Sequence, residues 1–393
     1  MKIKYGRKNP KRVFRNVLIT TFSIAVLVPI LTVGGYVSFV MATYHRIGDV
    51  NLQVTKNAKL DVVKSNNDLT VTTYNIGFGA YSDDYTFFMD SGYDEKGNVV
   101  SGEHGKARSK EEVLKNTFGA IDTLNKIDSD FNLIQEVDSK SHRAHFVNQK
   151  EMLDANFTTY DSTYAINYDS AYLFYPFHDP HGQTLAGLAT YSKYKTHDAI
   201  RKEYVVTEGF GKYMDLDRCF SSHRFKVDNG KELILINSHM SAYDEGGVVR
   251  NAQLEQLNSF MKEEALKGNY VVCGGDFNHD LLTNNPQYPE YTTTNFAYKN
   301  EIKQLKPDWL SMMFDENKKS DFDDEFVVYA SNNEPSCRDA DVVFEKGYTY
   351  VSTIDGFICS SNVEVKEVIT TRTGEKGFIY SDHQPSTMTF ILK

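Results

Sequence analysis

Val17 to Val40 is an uninterrupted run of 24 residues without a charge. As a helix rising about 1.5 Å per residue it is long enough to cross the roughly 30 Å hydrocarbon core of a bilayer. Pro29 and the Gly34–Gly35 pair would weaken a soluble helix, but spanning helices tolerate them. A secretory signal is the alternative, with Val40-Met41-Ala42 as a small-residue cleavage site. Its apolar core usually covers only about 7–15 residues, so length favours a retained transmembrane anchor over 17–41. Residues 42–68 are polar with scattered apolar positions and read as a juxtamembrane linker.

From Leu69 the period changes. Leu69–Ile76 alternates as a strand, and residues 80–108, rich in Gly, Asp and Tyr, read as a long loop. Val113, Leu114, Phe118, Ile121, Leu124 and Ile127 form one stripe at helical spacing, predicting a helix over 110–127. Phe131–Gln135 is a short buried strand, and a second helix is expected from Ser141 towards Ala155. Tyr160–Tyr168 and Ala186–Ser192 read as extended. Phe220–Val227 and Glu232–Asn237 flank Asp228-Asn229-Gly230, whose Asn-Gly pair suits a type I′ hairpin turn. A helix over 246–266 turns Val249, Leu254, Leu257, Phe260 and Met261 inward. Tyr270–Gly274 is a buried strand, 281–325 is irregular, and three more strands lie near 326–330, 351–360 and 385–392. There is no internal repeat. This alternation predicts one α/β domain over 69–393, with mixed sheets packed face to face and helices outside.

Charge divides the chain. Lys and Arg number 43 against 53 Asp and Glu, a net −10, but seven of those bases fall in the first sixteen residues. The remainder holds 36 bases and 53 acids, a charge of −17. The basic segment 1–16 precedes the apolar run and only His45–Arg46 follow it, so the positive-inside rule puts the N-terminus in the cytoplasm and the domain outside the cell membrane. A hydrophobic fraction of 40 % and a mean hydropathy of −0.46 exclude a disordered chain and a polytopic membrane protein. The acidic balance excludes a basic nucleic-acid-packaging protein, and four Cys exclude a disulfide-dense scaffold. Cys273 and Cys359 lie in apolar runs as buried thiols, whereas Cys219 with Cys337 stays open as a bridge.

The candidate chemistry sits where strands end. One strand after another finishes in a side chain able to bind a cation or a phosphate: Asn75, Glu136, His239, Asp276 with Asn278, Asp355, and the Asp382-His383 pair. Strand ends are where α/β folds commonly place their sites. Asn75, Glu136 and Asp382 offer hard oxygen ligands, which suit Mg²⁺ (or Mn²⁺ or Ca²⁺) and not zinc. Asp276 and Asn278, two apart, face one side of an extended segment and can orient a water and grip a phosphoryl oxygen. His383 with Asp355 gives an acid or base with a carboxylate to orient it, and His239 adds an imidazole for a phosphate oxygen or the leaving group. Together these groups describe phosphoester hydrolysis by attacking water.

Seven segments carry a family likeness: TYNIG at 73–77, LIQEV at 133–137, GLATYSK at 187–193, NSHMS at 237–241, GGDFN at 274–278, STIDGF at 352–357 and YSDHQP at 380–385. In this order the chain resembles the endonuclease/exonuclease/phosphatase superfamily, the DNase I-like fold. The resemblance implies a four-layered α/β sandwich and a Mg²⁺-dependent hydrolase. It matches Asn75, Glu136 and Asp382 to the metal side, and Asp276 and Asn278 to the positions that orient the nucleophile and hold the phosphate. Asp355 matches the carboxylate that positions the catalytic histidine, His383, and His239 the second histidine of nuclease and sphingomyelinase-like branches. Leu188 departs from the Asn that many members carry, and Gly356-Phe357 from an aromatic directly after the Asp.

Weaker candidates are Arg338 and Arg250 as bidentate phosphate clamps, and His178 with His181 at the substrate mouth. Asp321, Asp323, Asp324 and Glu325 lack the glycine and spacing of an EF-hand and read as a solvated acidic loop. A nuclease-like activity heads the substrate readings. A lipid-headgroup phosphoesterase, sphingomyelinase-like or phosphoinositide-directed, fits the membrane tether, with Tyr81, Tyr85, Phe87 and Phe88 to meet a bilayer or stack bases. A non-catalytic binding module ranks last, because no site position is broken.

Overall fold

The computed structural model describes residues 9–206, 216–242, 248–289, 302–320, 322 and 325–393. The chain forms two units, Met1–His45 and Arg46–Lys393. The first is a single helix, Pro10–Thr43, whose Asn9 side chain caps the first turn and whose Pro10 stands where a missing N–H costs nothing. Inside it, the hydroxyls of Thr32, Ser38 and Thr43 donate to carbonyls four residues earlier, so these three are satisfied within the helix. The helix is long and apolar enough to cross a membrane.

Two mixed sheets build the second unit. Six strands run in the order Val363–Thr370, Ser386–Leu392, Leu69–Asn75, Phe131–Asp138, Leu185–Ser192, Asp161–Asp169. Seven run in the order Val50–Asn51, Asp198–Glu203, Cys219–Lys226, Glu232–His239, Tyr270–Asp276, Asp355–Ser360, Phe326–Tyr329. Between the sheets Val71, Leu133, Leu235, Val272, Phe357 and Met388 make a solvent-free core. Outside the first sheet, helix Lys110–Ile127 packs Ala120, Ile121 and Leu124 on Tyr74 and Ile134. Outside the second, helix Val248–Leu266 packs Leu254, Leu257 and Met261 on Ile234, Ile236 and Val271. Helix, sheet, sheet and helix make the four layers.

Local chemistry sets the ends. Ser109 caps the 110–127 helix through the amide of Glu112, and Asp128 closes it in a left-handed conformation at φ 53°. Phe118, expected inward, is exposed, and the buried stripe runs through Thr117 in its place. The helix expected from Ser141 is confined to Gln149–Asn156, because residues 141–148 turn back to lay Arg143 on Asp138 before Asn148 caps the helix. The Asn229-Gly230 hairpin forms, with Gly230 at φ 86°. Strands Asp198–Glu203 and Val363–Thr370 had no clear alternation in sequence. Three of the four residues in the expected acidic loop, Asp321, Asp323 and Asp324, lie outside the described residues.

Two expectations change. Residues 46–68 are not a free linker: Val50–Asn51 pairs with the Asp198–Glu203 strand, Val63 is buried in the inter-sheet core, and Asp161 receives the amides of Asn57 and Ala58. Cys219 and Cys337 are free buried thiols on separate elements, so the open pairing does not form.

A polar bridge also joins the sheets. His223 meets Thr163 Oγ1 at 2.7 Å and the carbonyl of Leu235 at 3.2 Å. Burial pulls its imidazole down to about 4, against the partial support of that carbonyl. The folded value lies below that of the unfolded chain, so the stabilisation is whole above about pH 6.5 and is lost as pH falls towards 4, about 3 kcal/mol in all. A melting-temperature series over that window should fall steeply, and less so in His223→Gln.

Candidate active site

Strand register, more than loop shape, assembles the site. Leu69–Asn75 and Phe131–Asp138 are parallel neighbours with Asn75 opposite Gln135, which places Glu136 beside Asn75. A bulge between Ile134 and Val137 turns Glu136 to φ 53° and re-aims its side chain. In the facing sheet, His239 pairs with Asp276, and Asp276 with Asp355. The strand ends thus meet over one cavity of about 680 Å³ lined by Asn75, Glu136, His239, Asp276, Asn278, Asp382 and His383. The close approach needs glycine at Gly275, where a Cβ would lie 2.1 Å from the carbonyl oxygen of Ser238.

Asp276 is the hub. Its Oδ2 accepts from Asn75 Nδ2 at 3.0 Å and lies 3.4 Å from His239 Nε2 and 3.7 Å from His383 Nε2. Asn75 Nδ2 also reaches Glu136 Oε1 at 3.3 Å, while its Oδ1 is held by the amide of Gly77. His383 Nδ1 sits 2.8 Å from Asp355 Oδ2, which also accepts from Ser336 Oγ at 2.7 Å. Asn278 commits its amide Nδ2 to the carbonyl of Met240.

The two histidines differ in charge. Burial opposes protonation of His383, but the carboxylates of Asp355, Asp276 and Asp382 outweigh it and raise its pKa well above the usual value. Burial, reinforced by Arg218, His383 and Arg143, holds His239 far below it. Burial raises the carboxyls of Asp276 and Asp382, with Asp355 adding to the first and Glu136 to the second.

Asp276, Asp355 and His383 bring ligand atoms within 4.8 Å of one another, a spacing able to hold a metal. His383 Nδ1 and Asp355 Oδ2 of that cluster are joined to each other by the 2.8 Å hydrogen bond. In the all-oxygen set of Asn75, Glu136 and Asp382, the partners of Glu136 among the described residues are the Asn75 amide and Arg143, the latter at 3.7 Å. A divalent cation there would also offset the repulsion that raises Asp382. The donor set fits a hard cation.

The remaining candidates fall away from the cavity's chemistry. Arg250 spends its guanidinium on the carbonyls of Ala242 and Trp309 and the hydroxyl of Ser311, tying loops together. Arg338 does the same with the carbonyls of Ser82, Tyr85 and Asp339, although it borders the cavity. Neither clamps a phosphate as expected, because backbone oxygens occupy the fork. Arg250→Gln should lower stability by about 3 kcal/mol, read as a lower melting temperature, while leaving KM for a small diester in place. His178 is exposed and off the cavity, whereas His181 lines it, donating from Nδ1 to the Gly105 carbonyl at 2.6 Å.

Three groups escaped the sequence reading. Arg143 lies 4.1 Å over the Phe78 ring and grips Asp138 with two hydrogen bonds. Ser336 orients Asp355. Arg218 lines the cavity with its buried Nε and Nη1 unpartnered among the described residues. Its signal was in the hairpin: counting back from the Asn-Gly turn sets Cys219 opposite His239, and Arg218 one residue further.

This geometry belongs to a known architecture: the chain has the endonuclease/exonuclease/phosphatase, or DNase I-like, fold. It is similar to the crystal structure of ANGEL2, a 2′,3′-cyclic phosphatase, with a TM-score of 0.50 and 13 % identity over 87 % of this chain and 98 % of that one. An endonuclease/exonuclease/phosphatase from Bacteroides vulgatus gives a TM-score of 0.48 and 16 % identity over 84 % and 100 %. TDP2 of D. rerio with a single strand DNA product gives 0.49 and 12 % over 83 % and 99 %. No protein-family profile matches the sequence, and no curated protein matches it.

Proposed function

We propose that the chain is a metal-dependent phosphoesterase that splits a phosphodiester by activated water. The observation that carries this reading is the hub at Asp276, a buried carboxylate shared by both histidines and Asn75 inside one cavity. With Nδ1 held by Asp355, His383 presents Nε2 to the reacting oxygen and exchanges its proton there as acid or base. Asp276 orients the water and Asn278 the phosphate side. Neutral His239 and Arg218, whose Nε and Nη1 have no partner among the described residues, face the phosphoryl oxygens and the leaving group. A divalent cation on Asn75, Glu136 and Asp382 would supply charge stabilisation at the phosphoryl group.

The helix Pro10–Thr43 supports a single-pass membrane anchor, and seven bases before it support a cytoplasmic N-terminus with the domain outside. Nuclease-like cleavage fits the paired histidines. The lipid-headgroup reading is favoured by the net charge of −17 carried after residue 16, which does not attract nucleic-acid backbones. The test is hydrolysis of bis(p-nitrophenyl) phosphate by the full chain in detergent, with Mg²⁺, Mn²⁺, Ca²⁺ and chelator. Metal-dependent turnover is expected; equal rates with chelator would remove the reading.

A further inference from the structure

Besides the histidines and the Asp276 hub, Phe87, Phe88, Asp90 and Asp339 line the cavity. Asp339 is 4 % exposed, and its Oδ2 has no hydrogen-bond partner among the described residues. An ionised oxygen buried in this way would demand a donor or a cation. Arg338, next in the chain, does not supply one, since its two terminal nitrogens donate to the carbonyls of Ser82, Tyr85 and Asp339.

The surroundings bring further carboxyls instead. A Cβ on Gly92 would lie 2.6 Å from Asp341 Oδ2 and 3.2 Å from Asp339 Oδ2, so both oxygens converge on the space that the glycine leaves open. Gln304 Nε2 donates to both oxygens of Asp341, at 3.0 and 3.1 Å, which supports the ionised form of that partner against its own burial. Asp339 lacks such support. Burial, then Asp341 and Asp90, raise its carboxyl well above the usual range, and Arg338 and the Ala340 amide oppose them only in part. Tyr350, the neighbouring phenol, is itself held neutral by burial. Asp339 therefore keeps its proton. A buried carboxylic acid is a donor, and this one faces a cavity with its hydrogen unused.

We propose that Asp339 is a specificity-determining residue that presents Oδ2–H to an uncharged oxygen, a hydroxyl, ether or carbonyl, on one of the two alcohols that the substrate phosphate joins. This rests on the phosphoesterase reading and adds a selection rule to it. An ammonium group offers no lone pair to that hydrogen. A second phosphate or a carboxylate would meet the charge of Asp341 and Asp90. A neutral oxygen satisfies the donor and brings no charge. Phe87 and Phe88, 4.9 Å apart between centroids, give the same alcohol an apolar flank.

The experiment uses the full chain in detergent with Mg²⁺ and three p-nitrophenyl phosphodiesters whose second alcohol is glycerol, ethanol or choline. The glycerol ester should exceed the ethyl ester in kcat/KM by about tenfold, with the gain in KM, and the choline ester should do no better than the ethyl. Asp339→Asn, uncharged and still a donor, should keep the preference within about twofold, whereas Asp339→Ala should erase it. Ionisation removes the hydrogen, so the parent's preference should fade at alkaline pH while that of Asp339→Asn persists. Melting gives a readout independent of turnover. The folded acid holds a proton that the unfolded chain releases above about pH 4, so the parent should lose stability relative to Asp339→Asn as pH rises from there. Faster cleavage of the choline ester than of the glycerol ester overturns the inference. So does an Asp339→Asn variant that loses the preference as fully as Asp339→Ala, or a melting difference that does not change with pH. If none of the three diesters is cleaved, it is the phosphoesterase reading that fails, and the selection rule falls with it.

Discussion

His383→Ala is expected to lower hydrolysis of a phosphodiester by about 10³-fold or more while leaving the fold in place. The imidazole is held by a chain of oriented partners: Ser336 donates to Asp355, and Asp355 fixes His383 Nδ1. Truncation removes the Nε2 that faces the reacting oxygen and leaves Asp355 with only its Ser336 contacts. His383 itself lines the cavity, so water can take the vacated place beside Asp355 and the melting temperature should move little. The decisive measurement is kcat on bis(p-nitrophenyl) phosphate with saturating Mg²⁺. A variant that keeps the parent rate would show that another residue moves the proton. Asp355→Asn should give a smaller loss, because it misorients the imidazole without removing it.

Removing the metal side should cost about as much by a different route. Glu136→Gln takes away the most accessible carboxylate of the Asn75, Glu136, Asp382 set and is expected to reduce turnover by about 10²-fold or more. Its signature is separable from activity. In the parent, Mg²⁺ should raise the melting temperature by mass action on the folded state; in Glu136→Gln that rise should vanish, and calorimetric titration should show no Mg²⁺ binding. The metal-free variant should melt no lower than the parent, since Glu136 is one of the charges that raise the buried carboxyl of Asp382. A variant that still binds Mg²⁺ with parent affinity would point to the Asp276, Asp355, His383 cluster as the cation site instead.

Much of the architecture was legible because sheets write themselves in runs. Leu69–Asn75, Phe131–Asp138 and Tyr270–Asp276 are buried along nearly their whole length, and the first read as an alternating strand and the other two as short buried runs, each leading to a polar group. The four layers follow from those runs and two amphipathic helices. The strands that went unread are partly exposed: Val363–Thr370 mixes Glu364, Lys366 and Glu367 among its valines and buries only its ends, and Asp198–Glu203 carries four charges in six residues. Composition there says solvent, and pairing supplies the rest.

The site divides along the same line. Asn75, His239 and Asp276 were visible because each closes a buried strand and Glu136 because it lies near the end of one, whereas Asp355 opens the Asp355–Ser360 strand and Asp382 and His383 precede Ser386–Leu392, so these three were found by residue type and motif. Arg250 and Arg338 looked like phosphate ligands by type alone, and only the positions of nearby carbonyls reveal that their charge is spent on loops. Arg218 was hidden for the opposite reason. It opens a strand, so no apolar run points to it, and its place beside His239 emerges only from hairpin register.

The segment 46–68 has a practical meaning for handling the protein. Val50–Asn51 covers the outer edge of the Asp198–Glu203 strand, and Arg201 pins that cover by donating to the carbonyls of Ile47 and Gly48. A fragment begun at Leu69 would leave that strand's amides and carbonyls open, and would vacate the place filled by Val63. An open edge recruits another edge. Such a fragment should associate with itself at concentrations where one begun at Arg46 stays monomeric, so the short pairing acts as a guard against assembly rather than as a tether.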